Sequence, residues 1–162
     1  MTRTLALFLG LLLVLASIEL GFIRALPSPF SLIPLVWIFS LGLFSLRGES
    51  AGVALFLGFS VLEDILFLNP HTSVTLSTLV TLAFYFRVSR FWLSNQSVWG
   101  YLALGAVLVL VWSVTFYGTY TILSPTEIAW STMAAETLGR AGFLSLGNLL
   151  LYQSPFHRRA FV

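Results

Sequence analysis

Glu63 and Asp64 stand side by side in FSVLEDILF, residues 59–67, a run otherwise suited to hydrocarbon. A carboxylate near the middle of a bilayer costs about 2–3 kcal/mol or more, so such a residue implies a pairing, proton-handling or binding role. Glu19, Glu136 and Arg140 lie in similarly apolar surroundings. Glu136 and Arg140 are four residues apart, which puts them on one helix face with Glu N-terminal, the favourable order. Two readings are open for this pair. It neutralises itself inside a bundle, or Arg140 is the counter-ion for Asp64 or for an incoming partner helix. For Asp64 the readings are a protonated or interfacial carboxylate at a helix end and a functional acid. Ser60 lies one turn earlier on the same face and is placed to donate a hydrogen bond to it. Glu63 points about 100° away, toward Phe56, Phe59 and Phe67, which makes it the weaker functional candidate and one able to snorkel outward.

Other chemistries find no support. The chain contains no HExxH, GxSxG, Walker or glycine-rich dinucleotide sequence. Neighbouring carboxylates on a helix diverge and do not converge on one bond, so no enzyme is expected. His71 and His157 fall on opposite predicted faces and cannot jointly hold a metal, and with no cysteine there is no thiolate nucleophile, disulfide or cysteine-based metal site. No cofactor is implied. All eight basic residues are arginines, too scattered to form a phosphate-binding surface, so nucleic acid is not an expected partner.

The elements that position these charges follow from composition. The sequence is 58% hydrophobic and 9% charged, with mean hydropathy +0.96. A soluble domain carries about 25% charged residues. Lipid is therefore the expected solvent for most of the chain. A spanning helix needs about 20 mostly apolar residues. Breaks at RALPSP, RGES, NPHT, RVSRFWLSNQS and SPTEIA divide the chain into six such runs, approximately 4–23, 30–46, 51–68, 72–86, 98–123 and 130–152. The expected fold is an all-α integral membrane protein, one polytopic domain over 1–162 built as a bundle of six transmembrane helices. The first run lacks a small-x-small cleavage pattern near Ala16 and reads as a retained anchor.

Arginine placement gives the orientation. With the N-terminus inside, the cytoplasmic segments hold Arg3, Arg47, Arg87, Arg90, Arg158 and Arg159, the external ones hold Arg24, and both termini are cytoplasmic. Trp92, Trp99 and Trp130 suit the two aromatic belts. The third span then ends outward near Leu68. Glu19, Glu63, Asp64 and Glu136 all fall in the outer leaflet, with Arg140 near mid-depth and Arg24 and His71 nearby to balance them. Ser131, Ala135, Gly139 and Gly142 form a small-residue stripe on the sixth span, the kind of surface that lets helices approach closely. Ser73, Ser77, Thr81 and Tyr85 form a polar row on the fourth span, expected to face the interior and bond locally or to line a cavity.

GFSVLEDILFLNPHTSVTLSTLVTLAFYF resembles the segment of the MreD family, the rod-shape-determining membrane proteins, in which a small-residue-rich helix ends in an aspartate. A short polar break and a helix ending in aromatic and basic residues follow in that family, matched here by Tyr85, Arg87 and Arg90. Six hydrophobic spans, short loops and a basic C-terminal tail agree along the whole chain. The family usually has glycine four residues before the aspartate and in the following loop, where Ser60 and Thr72 stand here. The resemblance implies a non-enzymatic subunit of the cell-elongation and peptidoglycan-synthesis machinery in the bacterial inner membrane. It would bind the single transmembrane helix of an MreC-like protein and support a RodA-type glycosyltransferase and its transpeptidase. A rival is the substrate-binding S component of an energy-coupling-factor transporter, also a small six-helix protein, whose outward cavity the outer-leaflet acids would line. The first span lacks the paired AxxxA docking pattern of those components, its alanines being Ala6 and Ala16.

Overall fold

Three prolines, Pro27, Pro29 and Pro34, set the architecture by breaking the apolar N-terminal third of the chain. In the computed structural model, which describes residues 2–46, 49–67, 73–92, 98–123 and 130–153, α1 spans Thr2–Ala16 and continues through a π-helical turn, Ser17–Phe22, and a 3-10 turn, Ile23–Ala25. Beyond it the chain forms one more 3-10 turn, Phe30–Leu32, before α2, Leu35–Leu46. The second expected span thus holds only 12 residues of α-helix, about 18 Å against a hydrocarbon core of about 30 Å. The cause is local. Pro34 disfavours helical backbone in the residue before it, and Ile33 is extended with φ −67° and ψ 113°.

The remaining α-helices are α3, Glu49–Phe67; α4, Ser73–Trp92; α5, Val98–Leu123; and α6, Trp130–Gln153. No strand occurs among the described residues. Helix α4 outruns its expected end at 86 because Arg87 and Arg90 end an apolar run without ending a helix. No proline or glycine follows until well past Trp92. His71, His157, Arg47, Arg158 and Arg159 lie outside the described residues.

Helix α2 packs on α3 and α6, α3 on α4, α4 on α5, and α5 on α6, while α1 lies against α3 and α2. The result is a ring of five helices with α1 on its flank. Trp37 fills the ring from α2, edge-on to Phe56 of α3 at 4.7 Å and to Trp112 of α5 at 5.5 Å. Leu12, Leu15 and Ala16 of α1 join Val36, Leu55 and Phe59 in one apolar core, and Tyr85, Leu104 and Leu108 form a second between α4 and α5. Helices α5 and α6 approach through Gly105, where an added Cβ would lie 3.4 Å from the Ser145 backbone and 2.7 Å from Asn148 Nδ2.

The outer surface is apolar. Leu7, Ile122 and Leu138 are 75%, 82% and 73% exposed, and they have large apolar company on every helix. Inside lie Ser40, Ser60, Ser77, Thr78, Thr81 and Ser113. Large apolar surface on this scale is unfavourable in water and ordinary in lipid. Among the described residues three segments, Ala6–Ala25, Ser50–Phe67 and Leu102–Ile122, are long and apolar enough to cross a membrane, and Ser73–Val88 is a shorter apolar run. The polar row of α4 is interior and bonds along its own helix. Ser77 donates to the Ser73 carbonyl and Thr81 to the Ser77 carbonyl, each at 2.7 Å.

Candidate functional site

The end of the bundle where α3 finishes and α4, α2 and α6 begin collects the charged side chains. Asp64 is buried there, and its carboxylate accepts three hydrogen bonds from the first turn of α4. The donors are the Val74 N–H at 3.1 Å to Oδ1, and the Thr75 N–H at 2.8 Å and Thr75 hydroxyl at 2.6 Å, both to Oδ2. The first amides of a helix have no partner within it, and the dipole makes that end positive. Asp64 therefore caps α4 from the neighbouring helix. This corrects the expected place of Asp64 in the charge cluster, and with it the reading in which Arg140 is its counter-ion. Ser60, expected to support Asp64, instead donates to the Phe56 carbonyl at 2.8 Å and hydrogen-bonds Thr78 Oγ1 at 2.7 Å. Trp112 Nε1–H reaches the same Thr78 oxygen at 3.2 Å, so α3, α4 and α5 meet on one hydroxyl.

Glu63, one residue earlier and about 100° around the helix, faces the other way. It forms an ion pair with Arg24, whose guanidinium also sits 5.0 Å from the centre of the Phe67 ring. The phenylalanine row thus carries an arginine with it, and Glu63 rather than Asp64 joins the cluster. Glu19 lies in the π-helical turn, buried, where it accepts the Val36 N–H at 2.7 Å and caps the start of α2. Glu136 of α6 accepts a hydrogen bond from the Tyr117 hydroxyl at 3.0 Å. Arg140 makes no ion pair within 4 Å among the described residues; its guanidinium carbon sits 5.6 Å from the centre of the Trp112 ring.

These groups enclose two spaces. A void of about 10 Å³, room for one water, is lined by Glu19, Arg24, Glu63 and Arg140 together with the 31–34 segment. A larger cavity of about 250 Å³ is bounded by Arg24, Glu63, Glu136 and Arg140 and by the aromatic side chains of Trp112, Phe116 and Tyr117. Of the expected cluster, Glu19, Glu63, Glu136 and Arg140 therefore converge and Asp64 does not. Arg24 was visible in the sequence as a balancing charge. Trp112 and Tyr117 were missed, because an aromatic residue in an apolar span gives no sign of what its polar edge meets. No three His, Asp or Glu residues lie close enough to hold a metal among the described residues.

The small-residue stripe of α6 is only partly a packing surface within the chain. At Gly139 an added Cβ would come 2.5 Å from Leu32 Cδ1, so this position admits the 30–34 segment. Gly142 has open space around it, and Ser131 and Ala135 are exposed. Helix α6 seats α5 with a different face, around Ser145 and Asn148. In comparisons with known proteins, no family model, no curated protein and no solved structure matches this chain.

Proposed function

We propose that this chain is a polytopic subunit of bacterial cell-elongation machinery, similar to MreD, which works by binding the transmembrane helix of a single-span, MreC-like partner. All six α-helices would lie in the cytoplasmic membrane with both termini inside, α2 completing its crossing through the 30–34 segment. The arginine distribution supports that orientation, and the charged end of the bundle then faces outward. Its role would be to organise a RodA-type glycosyltransferase and its transpeptidase, not to carry out chemistry. The observation that carries this reading is the exposed small-residue face of α6, Ser131, Ala135 and Gly142, which suits close helix approach in lipid. The α3–α4 segment that resembles the family supports it, with its aspartate acting as the clamp between those helices.

The 250 Å³ cavity favours a second reading, the substrate-binding component of an energy-coupling-factor transporter. Affinity purification from native membranes separates the two. Recovery of a single-span partner with cell-wall synthesis enzymes is the expected result. Recovery of a coupling ATPase module favours the transporter reading, and recovery of neither sinks both. In the same cells, a cysteine at Ser28 is expected to label from outside and one at Ser94 not to; the reverse pattern overturns the orientation.

A further inference from the structure

We infer that the 250 Å³ cavity binds a small zwitterion, a molecule of no net charge that carries an ammonium for Glu136 and a singly charged oxyanion for Arg140. This goes beyond the partner-binding reading and does not depend on whether a helix docks on α6.

The cavity lining is neutral overall yet carries charges of both signs. It presents two acids, Glu63 and Glu136, and two arginines, Arg24 and Arg140. Glu63 and Arg24 cancel as an ion pair. One charge of each sign remains, so neither a free anion nor a free cation is favoured. Glu19 lies on the adjoining one-water void and adds a negative charge, which disfavours an anion further. Glu136 and Arg140 are four residues apart on α6, in the order that ordinarily closes into an ion pair. Here they make none within 4 Å. Opposite charges attract strongly where water is scarce, so these two must be held apart.

Helix α5 holds them. The Tyr117 hydroxyl donates to Glu136 at 3.0 Å, and the Trp112 ring centre lies 5.6 Å from the Arg140 guanidinium carbon. Both anchors are themselves packed. Trp112 is stacked on Phe116 at 4.9 Å and edge-on to Trp37 at 5.5 Å, and Phe116 is edge-on to Tyr117 at 5.3 Å. The two poles are therefore placed beside open space before any ligand arrives, which lowers the ordering cost of binding. Four residues of helix rise about 6 Å, a separation that an ammonium and an oxyanion a few bonds apart can bridge. The cavity of 250 Å³ has the volume of about eight waters at about 30 Å³ each, enough for such a molecule. A guanidinium fork matches a carboxylate or phosphodiester, and a carboxylate beside aromatic rings suits an ammonium. A ligand with one charge alone is attracted by one pole and repelled by the other.

An ammonium and an oxyanion on one molecule can come from a free amino acid or from the ethanolamine headgroup of a lipid. The test uses the full chain in nonionic micelles and, separately, in nanodiscs of phosphatidylglycerol with or without phosphatidylethanolamine. Binding is read by tryptophan fluorescence and by thermal unfolding. Glycine, γ-aminobutyrate and glycerophosphoethanolamine are titrated into the micelles, with acetate and ethylammonium as half-ligands. Saturation by a zwitterion in micelles assigns a free ligand. A response confined to phosphatidylethanolamine discs assigns a lipid headgroup. The half-ligands, alone or together, are expected to bind at least about tenfold more weakly. Glu136→Gln and Arg140→Gln are each expected to weaken the zwitterion by about tenfold or more. They are also expected to shift preference in opposite directions, toward acetate in the first and toward ethylammonium in the second, an exchange that a merely loosened fold does not produce. Arg87→Gln, a charge lost from an exposed position on α4, is expected to bind as wild type does. The inference is overturned if no zwitterion saturates from either source, or if acetate or ethylammonium binds as tightly as the zwitterion. It is equally overturned if both folded charge variants bind as wild type does; if neither folds, the wild-type comparison with the half-ligands decides. Failure to recover a partner from membranes affects only the proposed function.

Discussion

Glu63 and Asp64 are joined by one peptide bond and lie at one depth in the bundle, yet they belong to regions built on opposite terms. On the Asp64 side, α3 and α4 are closed together by three donors on one carboxylate, with the Ser60–Thr78–Trp112 bonds one turn below. On the Glu63 side, charged and aromatic groups surround a cavity, and Arg140 makes no ion pair within 4 Å among the described residues. An acid held by two backbone amides and a hydroxyl of the next helix is part of the scaffold. Groups that keep hydrogen-bonding capacity beside open space are the ones able to recognise something else. The fold thus uses a neighbouring pair of acids for two purposes, separated only by the rotation of a helix.

The sharpest way to break this comparison is at the pair itself. Asp64→Ala removes three bonds to a buried charged acceptor, each worth about 1.5–3 kcal/mol when the partner is charged. It is expected to cost about 4 kcal/mol of stability after local relaxation, read as a large fall in melting temperature in micelles. Glu63→Gln is expected to cost about 1 kcal/mol or less, because the amide still accepts from Arg24. Equal losses from the two changes would erase the distinction between scaffold and cavity. The same contrast recurs between the α5–α6 seam and the outer face of α6. Gly105→Val drives side-chain atoms into the Ser145 backbone and Asn148 and is expected to cost about 2 kcal/mol. Gly142→Val, in open space, is expected to change stability by about 0.5 kcal/mol or less while reducing recovery of a partner helix. A stability loss at Gly142 comparable to that at Gly105 would mean that α6 is seated differently. A further test sharpens the cavity side alone. A double-mutant cycle on Arg24 and Glu63 is expected to give a coupling of about 1 kcal/mol, modest because the Arg24 side chain is 32% exposed. A coupling indistinguishable from zero would mean that the two residues are independently solvated.

Much of the scaffold was legible in the residues. Six apolar runs correspond to six α-helices among the described residues, because breaks rich in proline, glycine and polar residues delimit helices as well as apolar runs. The failures have specific causes. Helix α2 is shorter than its apolar run because Pro34 constrains Ile33, and α4 is longer than its run because arginines stop a hydrocarbon segment without stopping a helix. The convergence of Glu19, Glu63, Glu136 and Arg140 was legible from helix direction and depth. The role of Asp64 was not, since two of its three donors are the amides of Val74 and Thr75, and backbone amides carry no mark in a sequence.

What the sequence determined by itself is therefore axial: the lipid-facing class of the protein, the number of helices, and the height at which each charge sits, all fixed by spacing along the chain. What only the tertiary structure decided is azimuthal. Neighbouring residues on a helix diverge by about 100°, so the side that α4 occupies determines that Asp64 becomes a cap and Glu63 an ion pair. The packing of Trp37 across the ring and the close approach at Gly105 set which helix lies on which side. Those contacts join residues far apart in the chain, and no local pattern encodes them.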